Sequence, residues 1–291
     1  MRKSASISTQ STQAVALGRV ADLGDLYDAR SDNFLEISLY TTDLPRPGDA
    51  VHSTDNAYAS IDYVRTESLS EKMEKLGVSA ELSVSFLGGL VSASGSGKYL
   101  NEDKKSARSA KTSLVYSIRT VTEDLKIFSK SSRQLMDQFL LTNIDATHVV
   151  VGIDWGANVV LSLEETNTDS SNIQEIQGKL QAALNLAVLS ASGSAEVDFG
   201  SSDVEKSSSF SLRLNGDIIP DTVPQTINES VSFIRSLPYL IKKENEGKGK
   251  IMNYILMPIT TFRKDFEAKS NDSGIIKEIN ERTEEIPCPR M

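Results

Sequence analysis

The residues of this chain that could do chemistry are few, and each set fails at its spacing. Ser94-Gly95-Ser96-Gly97-Lys98-Tyr99 looks like the tail of a phosphate-binding loop. In such a loop, backbone N–H groups cradle phosphates, and a Ser or Thr after the lysine holds magnesium. Here Ser92 stands where the first glycine belongs and Tyr99 follows the lysine, so nucleotide binding is not expected. His52 and His148 are the only histidines and Cys288 is the only cysteine. That inventory excludes a disulfide framework, a cysteine-based zinc site and a His-rich metal site, and leaves little material for a Ser-His-Asp arrangement. Gly-x-Ser-x-Gly, His-Glu-x-x-His and calcium-loop patterns are absent. The acidic pairs Glu123-Asp124 and Glu164-Glu165 have the residue types for acid/base work, but carboxylates usually form a solvated face, which is the expectation here. No catalytic residue, no cofactor and no metal is expected.

Composition narrows the remaining classes. A chain of 291 residues can bury a core, as one large domain or two ordinary ones, without disulfides or metals. Hydrophobic residues at 39% and charged residues at 24% are those of an ordinary globular protein. The formal net charge of -9 points away from nucleic acid, because phosphate binding needs a surplus of Lys and Arg. Met1-Arg2-Lys3-Ser4-Ala5-Ser6 runs into polar residues, so no secretory signal is visible, and the glycosylation pattern at Asn228-Glu229-Ser230 carries little weight. No run approaches the roughly 20 apolar residues of a membrane helix. The expectation is a soluble protein, cytoplasmic or released non-classically, that does not enter a membrane as a helix.

The elements that must position these residues are mostly strands. Tyr58 to Thr66, Thr112 to Val121, His148 to Leu163 and Phe210 to Ile218 have strand character. The first two are separated by an insertion of ~45 residues, and so are the last two, where hairpin loops of roughly 2 to 5 residues are usual. Residues 1–13 read as a polar tail, 14–263 as the ordered domain, and 264–291 as a charged helix or linker. Gly152 and Gly156 interrupt a β-forming run, where glycine marks a bulge, a bend or a close backbone approach.

Each insertion carries a long alternation. In the first, Val78, Ala80, Leu82, Val84 and Phe86 alternate with polar residues. After Gly88-Gly89 the phase flips to Val91, Ala93, Gly95, Gly97 and Tyr99, as a turn between two strands would require. In the second, Ile176, Gly178, Leu180, Ala182, Leu184, Leu186 and Val188 give way to Leu189, Ala191, Gly193, Ala195, Val197 and Phe199 in the opposite phase. Paired runs of about 9 to 13 residues match tilted membrane-crossing strands. They also match half-buried strands of a soluble sheet. Ile176, Leu180 and Leu184 satisfy helical i, i+4 spacing as well, so the second segment is compatible with both periods. Leu69, Met73 and Leu76 form one helical face just before the first alternation.

Several ordered stretches together resemble the N-terminal domain of stonustoxin-like proteins, within the membrane attack complex/perforin and cholesterol-dependent cytolysin (MACPF/CDC) superfamily. They are Ala16-Leu17-Gly18-Arg19 with Leu23 to Arg30, Val78 to Val91 with Lys98-Tyr99-Leu100-Asn101, Ala146 to Val150 with Gly152 and Gly156, and Gln174 to Gly178. The resemblance implies an α+β fold, a bent four-stranded antiparallel sheet flanked by two helical clusters, with the bend at His148, Gly152 and Gly156. It implies that the clusters unfurl into membrane-crossing hairpins when subunits gather in a ring on a lipid membrane. Pooled hairpins close a barrel and leave no strand edge in hydrocarbon. Hairpin 1 would use Val78, Ala80, Leu82, Val84, Phe86, Gly88, Gly89 and Val91. Hairpin 2 would use Ile176, Leu180, Leu184, Leu186, Val188, Ala191, Val197 and Phe199. Family members carry further domains, including thioredoxin-like and PRY/SPRY domains, which this chain ends before; a second protein subunit supplying membrane targeting is therefore an expected partner. The rival expectation is a non-lytic scaffold or interaction protein with the same fold, favoured by the small residues Ala93, Gly95, Gly97, Gly178 and Gly193.

Overall fold

The computed structural model describes residues 11–44, 48–87, 93–102, 109–165 and 210–268, together with 174–185 except 176, 179 and 183. Among the described residues, eight strands form a single sheet: β1 Thr12–Val15, β2 Asp25–Asp28, β3 Asn33–Ser38, β4 Val51–Val64, β5 Ala110–Leu125, β6 His148–Glu165, β7 Phe210–Gly216 and β8 Lys250–Pro258. Strand β6 is the hub. It pairs antiparallel with β5 along one side, and on the other with β8 over His148–Gly156 and β7 over Val159–Glu165. The fourth strand of the bent sheet is therefore two separate pieces. Every residue of β6 between its two ends is buried, as a near-continuous Val, Ile and Leu run covered on both faces should be.

Three bulges set the bend. The register shift adds a residue between Asp55 and Tyr58 in β4, between Arg119 and Thr122 in β5, and between Ile251 and Asn253 in β8, opposite Asp154 and Trp155 of β6. Tyr58 pairs with Arg119 and Arg119 with Gly156, so these irregularities lie on one line across the sheet. A bulge adds an unpaired residue and bends its strand, and aligned bulges bend the sheet. Gly156 is required there: a Cβ would stand 1.9 Å from the Ile118 carbonyl oxygen.

The strand expectations are met in kind and differ in extent: β5 and β6 run longer than expected, whereas β4 and β7 stop at Val64 and Gly216, two residues before the expected Thr66 and Ile218. Strand β4 starts at Val51, because His52 to Ala59 are exposed on an edge strand and carry no alternation to read. Strand β8 went unrecognised although Met252, Tyr254 and Leu256 alternate and are buried. Strands β1 to β3 are too short to show a period.

Helices cover the sheet: α1 Leu69–Lys75, α2 Ala80–Leu87, a 3-10 turn Gly95–Asn101, α3 Lys130–Leu135, α4 Gln138–Asn143, the helical residues between 174 and 185 (α5), α6 Ile227–Ile241, and α7 at 259–268. Beyond the bend, the two faces of the sheet serve different helices. Val64, Val115 and Val160 pack against α1, α2 and the 3-10 turn. Tyr116, Ala157 and Val159, one residue out of phase, pack against α6. Below the bend a separate core joins β1, β2, β3, β8 and α4, where Leu26, Leu39, Leu141, Val149, Ile153 and Tyr254 are wholly buried.

Candidate functional site

Both inserted segments leave from the same end of the sheet. Val64 pairs with Ser113, Ser113 with Ser162, and Ser162 with Arg213, so β4, β5, β6 and β7 end in one aligned row. Residues 65–109 join β4 to β5, and residues 166–209 join β6 to β7.

In this compact state, the described part of the first alternation is helical. Ser79 Oγ accepts the Leu82 N–H at 3.2 Å and starts α2. Leu82 is buried, with Val78 and Phe86 partly buried beside it against Val64, Val115 and Val160. Val78, Leu82 and Phe86 are at i, i+4 spacing, so every second member of the alternation, from just ahead of α2 through its length, faces the sheet. Ala80 and Val84 belong to the same helix. The second segment repeats the device, with Leu180 and Leu184 buried at 1% exposure while Ala182 and Asn185 are exposed. Of the expected hairpin positions, Gly88, Gly89, Val91, Ile176, Leu186, Val188, Ala191, Val197 and Phe199 lie outside the described residues.

The phosphate-loop look-alike has an internal occupant. Asp217, just after β7, accepts the Ser96 N–H at 2.9 Å through Oδ1 and the Asn158 N–H at 2.8 Å through Oδ2. A carboxylate of the protein thus takes the backbone donors that a phosphate would claim. Burial pushes the Asp217 carboxyl up, and this outweighs the two N–H bonds that favour its anion. Gly95 sits at φ +58° with its hypothetical Cβ only 2.6 Å from Asp217 Oδ1, and a Cβ at Gly97 would crowd Ala93 Cβ at 3.0 Å and Leu17 Cδ2 at 3.1 Å. The small residues at 95 and 97 are thereby accounted for by packing in the compact state.

Beside it lies an ionic seam that the sequence did not reveal. Lys111 of β5, 1% exposed, places Nζ 3.0 Å from Glu102 and 3.5 Å from Glu67. Lys72 of α1 lies 3.8 Å from Glu67 and donates to the Glu102 carbonyl oxygen. The Tyr99 hydroxyl donates to Glu67 at 2.9 Å, and both ammonium groups stand near the Tyr99 ring, at 4.8 and 5.2 Å from its centroid. Asn215 of β7 donates to Glu102 at 2.8 Å, with Arg213 3.7 Å away. Burial alone would raise the Glu102 carboxyl, but the Asn215 and Lys111 hydrogen bonds and the Lys111 and Arg213 charges hold it below the usual range. Charges inside strand-forming runs, such as Lys111, were the available signal.

The bend carries its own polar group. Trp155 Nε1 donates to Glu123 at 2.9 Å, Lys248 pairs with Glu123 at 3.1 Å, and the Lys248 ammonium stands 4.9 Å from the Trp155 ring centroid. Glu123 and Glu164, expected on a solvated face, are instead 3% and 2% exposed: Glu123 is covered by Trp155 and Lys248 while its neighbour Asp124 stays exposed, and Glu164 lies on β6, which is covered on both faces. Gly156 lies on the bend, and Gly152 sits at a second register shift, between β6 and β8. His148 is the first residue of β6, away from the bend, edge-on to Tyr27, and burial lowers its pKa. Among the described residues no cluster of His, Cys, Asp and Glu could hold a metal, and no helix is long and apolar enough to cross a membrane, which says nothing of strands.

Comparison with known proteins agrees with this architecture. A family model described as SNTX, MACPF/CDC-like domain matches residues 11–279. The chain is similar to neoverrucotoxin subunit beta of Synanceia verrucosa, with 32% identity over 279 residues, 95% of this chain and 39% of that protein. It is similar to cytolytic toxin-beta of Scorpaena plumieri, with 31% identity over 261 residues, 89% of this chain and 36% of that protein. The solved stonustoxin structure matches with TM-score 0.60 and 27% identity, over 86% of this chain and 32% of that one. The chain spans about two fifths of the length of the curated relatives it matches. With the family model covering nearly the whole chain and the bent α+β sheet matching a solved relative, this chain belongs to the SNTX, MACPF/CDC-like domain family.

Proposed function

We propose that this chain is one subunit of an oligomeric β-barrel pore, in which residues 65–109 and 166–209, whose described parts include α1, α2 and α5, refold into two membrane-crossing hairpins. One observation carries the reading: four adjacent strands end in a single aligned row, and each segment joins a neighbouring antiparallel pair. Conversion then needs no new topology, because each segment extends two strands already in register. The i, i+4 helical faces are subsets of the period-2 alternation, so one sequence serves both states. A relative named cytolytic toxin-beta supports lysis, and relatives named as alpha and beta toxin subunits support a second subunit as the setting.

The test is a reversible lock. The Gly97 Cβ position lies 3.5 Å from Leu17 Cβ, within disulfide reach, so Leu17→Cys with Gly97→Cys in a Cys288→Ser background ties the first segment to the fixed part of the molecule. Dye release from liposomes, with a partner subunit added where one is needed, should be abolished by the lock and restored by reductant. Unchanged release under a verified disulfide sinks the hairpin mechanism.

A further inference from the structure

The Glu102 carboxylate stands where the two segments and the sheet meet. It belongs to the first segment, directly after the 3-10 turn, yet its partners lie on the sheet: Lys111 on β5 at 3.0 Å, Asn215 on β7 at 2.8 Å and Arg213 on β7 at 3.7 Å. Strand β7 is the chain into which the second segment leads. The second segment also touches this seam directly, because Gln177 Nε2 donates to the Lys111 carbonyl oxygen at 3.3 Å.

We propose that Glu102 is a positioning residue that couples the two segments, so that they are released together rather than one at a time. This rests on the hairpin reading above. If the first segment departs alone, Glu102 leaves with it. Lys111, 1% exposed, then loses both of its carboxylates, because Glu67 lies in the same departing segment. A buried ammonium stripped of a partner is unfavourable until the strand end opens to water. Strand β7 loses the Asn215 and Arg213 contacts that add to its ladder with β6 in the same step, and β7 and Gln177 are attachments of the second segment beside the buried Leu180 and Leu184. Opening either segment therefore weakens the hold on the other. In a ring of subunits this makes hairpin formation concerted within each chain, and four new strands enter the barrel at once.

Hydrogen exchange read by mass spectrometry on the full chain, in solution and without membranes, tests this. Asn215→Leu changes β7 alone. It should speed exchange by roughly tenfold or more in residues 95–101 of the first segment and in 177–185 of the second, leaving β1 and β8 unchanged. Arg213→Gln, at a side chain 46% exposed, should do the same more weakly and keeps the test valid where a stronger variant fails to fold. Glu102→Gln should loosen 210–216 as well as 95–101. Faster exchange confined to the mutated element, or equal acceleration everywhere including β1 and β8, overturns the coupling. The exchange experiment reads only the compact state. Its failure with a working disulfide lock removes the coupling alone, whereas a lock without effect removes the hairpin reading whatever exchange shows.

Discussion

Helices α2 and α6 pack against opposite faces of the same half-sheet, yet they are held in different ways. Helix α6 buries Phe233, Ile234, Leu237 and Ile241, a wide stripe at helical spacing. Around Leu82, by contrast, α2 has only partly buried Phe86, with Val78 beside it just ahead of the helix. What α2 lacks in apolar contact, its segment makes up with Asp217, Glu102, Lys111 and Lys72. Apolar burial of the α6 kind contributes at every stage of opening. A buried ion pair is stabilising only while it is complete. The sequences differ to match. Ile234 and Leu240 break any alternation in α6, and Pro238 would deprive a strand of a ladder donor, so α6 is committed to one state.

The largest expected effects set these helices against each other. Leu237→Ala should lower global stability by about 2–5 kcal/mol in urea unfolding, as a cavity in a fixed core does. Leu82→Ala should cost less, because its loss cannot exceed the docking free energy of its own segment, and should speed exchange mainly in α2. Equal shifts in the global midpoint would erase the distinction.

Next in size is Asp217→Asn. Both carboxylate oxygens accept backbone N–H groups, so an amide must set an NH2 against a donor, a cost of about 1–3 kcal/mol. Exchange at 95–101 should accelerate while α6 stays protected.

The same two carboxylates give opposite pH dependence. Glu102 is held below its ordinary 4.5, so its contribution is complete above that value and is lost as pH falls through the lower folded value. Asp217 is raised above its ordinary 3.8, so its contribution is lost as pH rises through the folded value. In urea midpoints followed against pH, Glu102→Gln should flatten the acid-side fall and Asp217→Asn the slope on the other side. Slopes changed in the same direction by both variants would contradict the assignment.

The smallest effect concerns α5. A Cβ added at Gly178 meets nothing within 4 Å, so Gly178→Ala should stabilise that helix by about 0.5–1 kcal/mol and slow dye release without abolishing it. Faster release would argue that helix stability does not limit conversion.

The sequence by itself determined the period-2 alternations, the four strand-forming stretches and the long insertions between them. These are local patterns, and a side-chain period survives whatever the chain packs against. It also placed Gly156, since a glycine within a β-forming run has few other uses. Tertiary structure alone decided that α2 draws its helical face from half of its alternation, because only the facing Val64, Val115 and Val160 select Val78, Leu82 and Phe86. It alone assembled Lys72, Glu67, Tyr99, Glu102, Lys111 and Asn215, which are scattered along the chain and meet only where β5, β7 and the 3-10 turn converge. Charge pairing across such separations leaves no period to read, and a buried lysine looks in sequence like any exposed one.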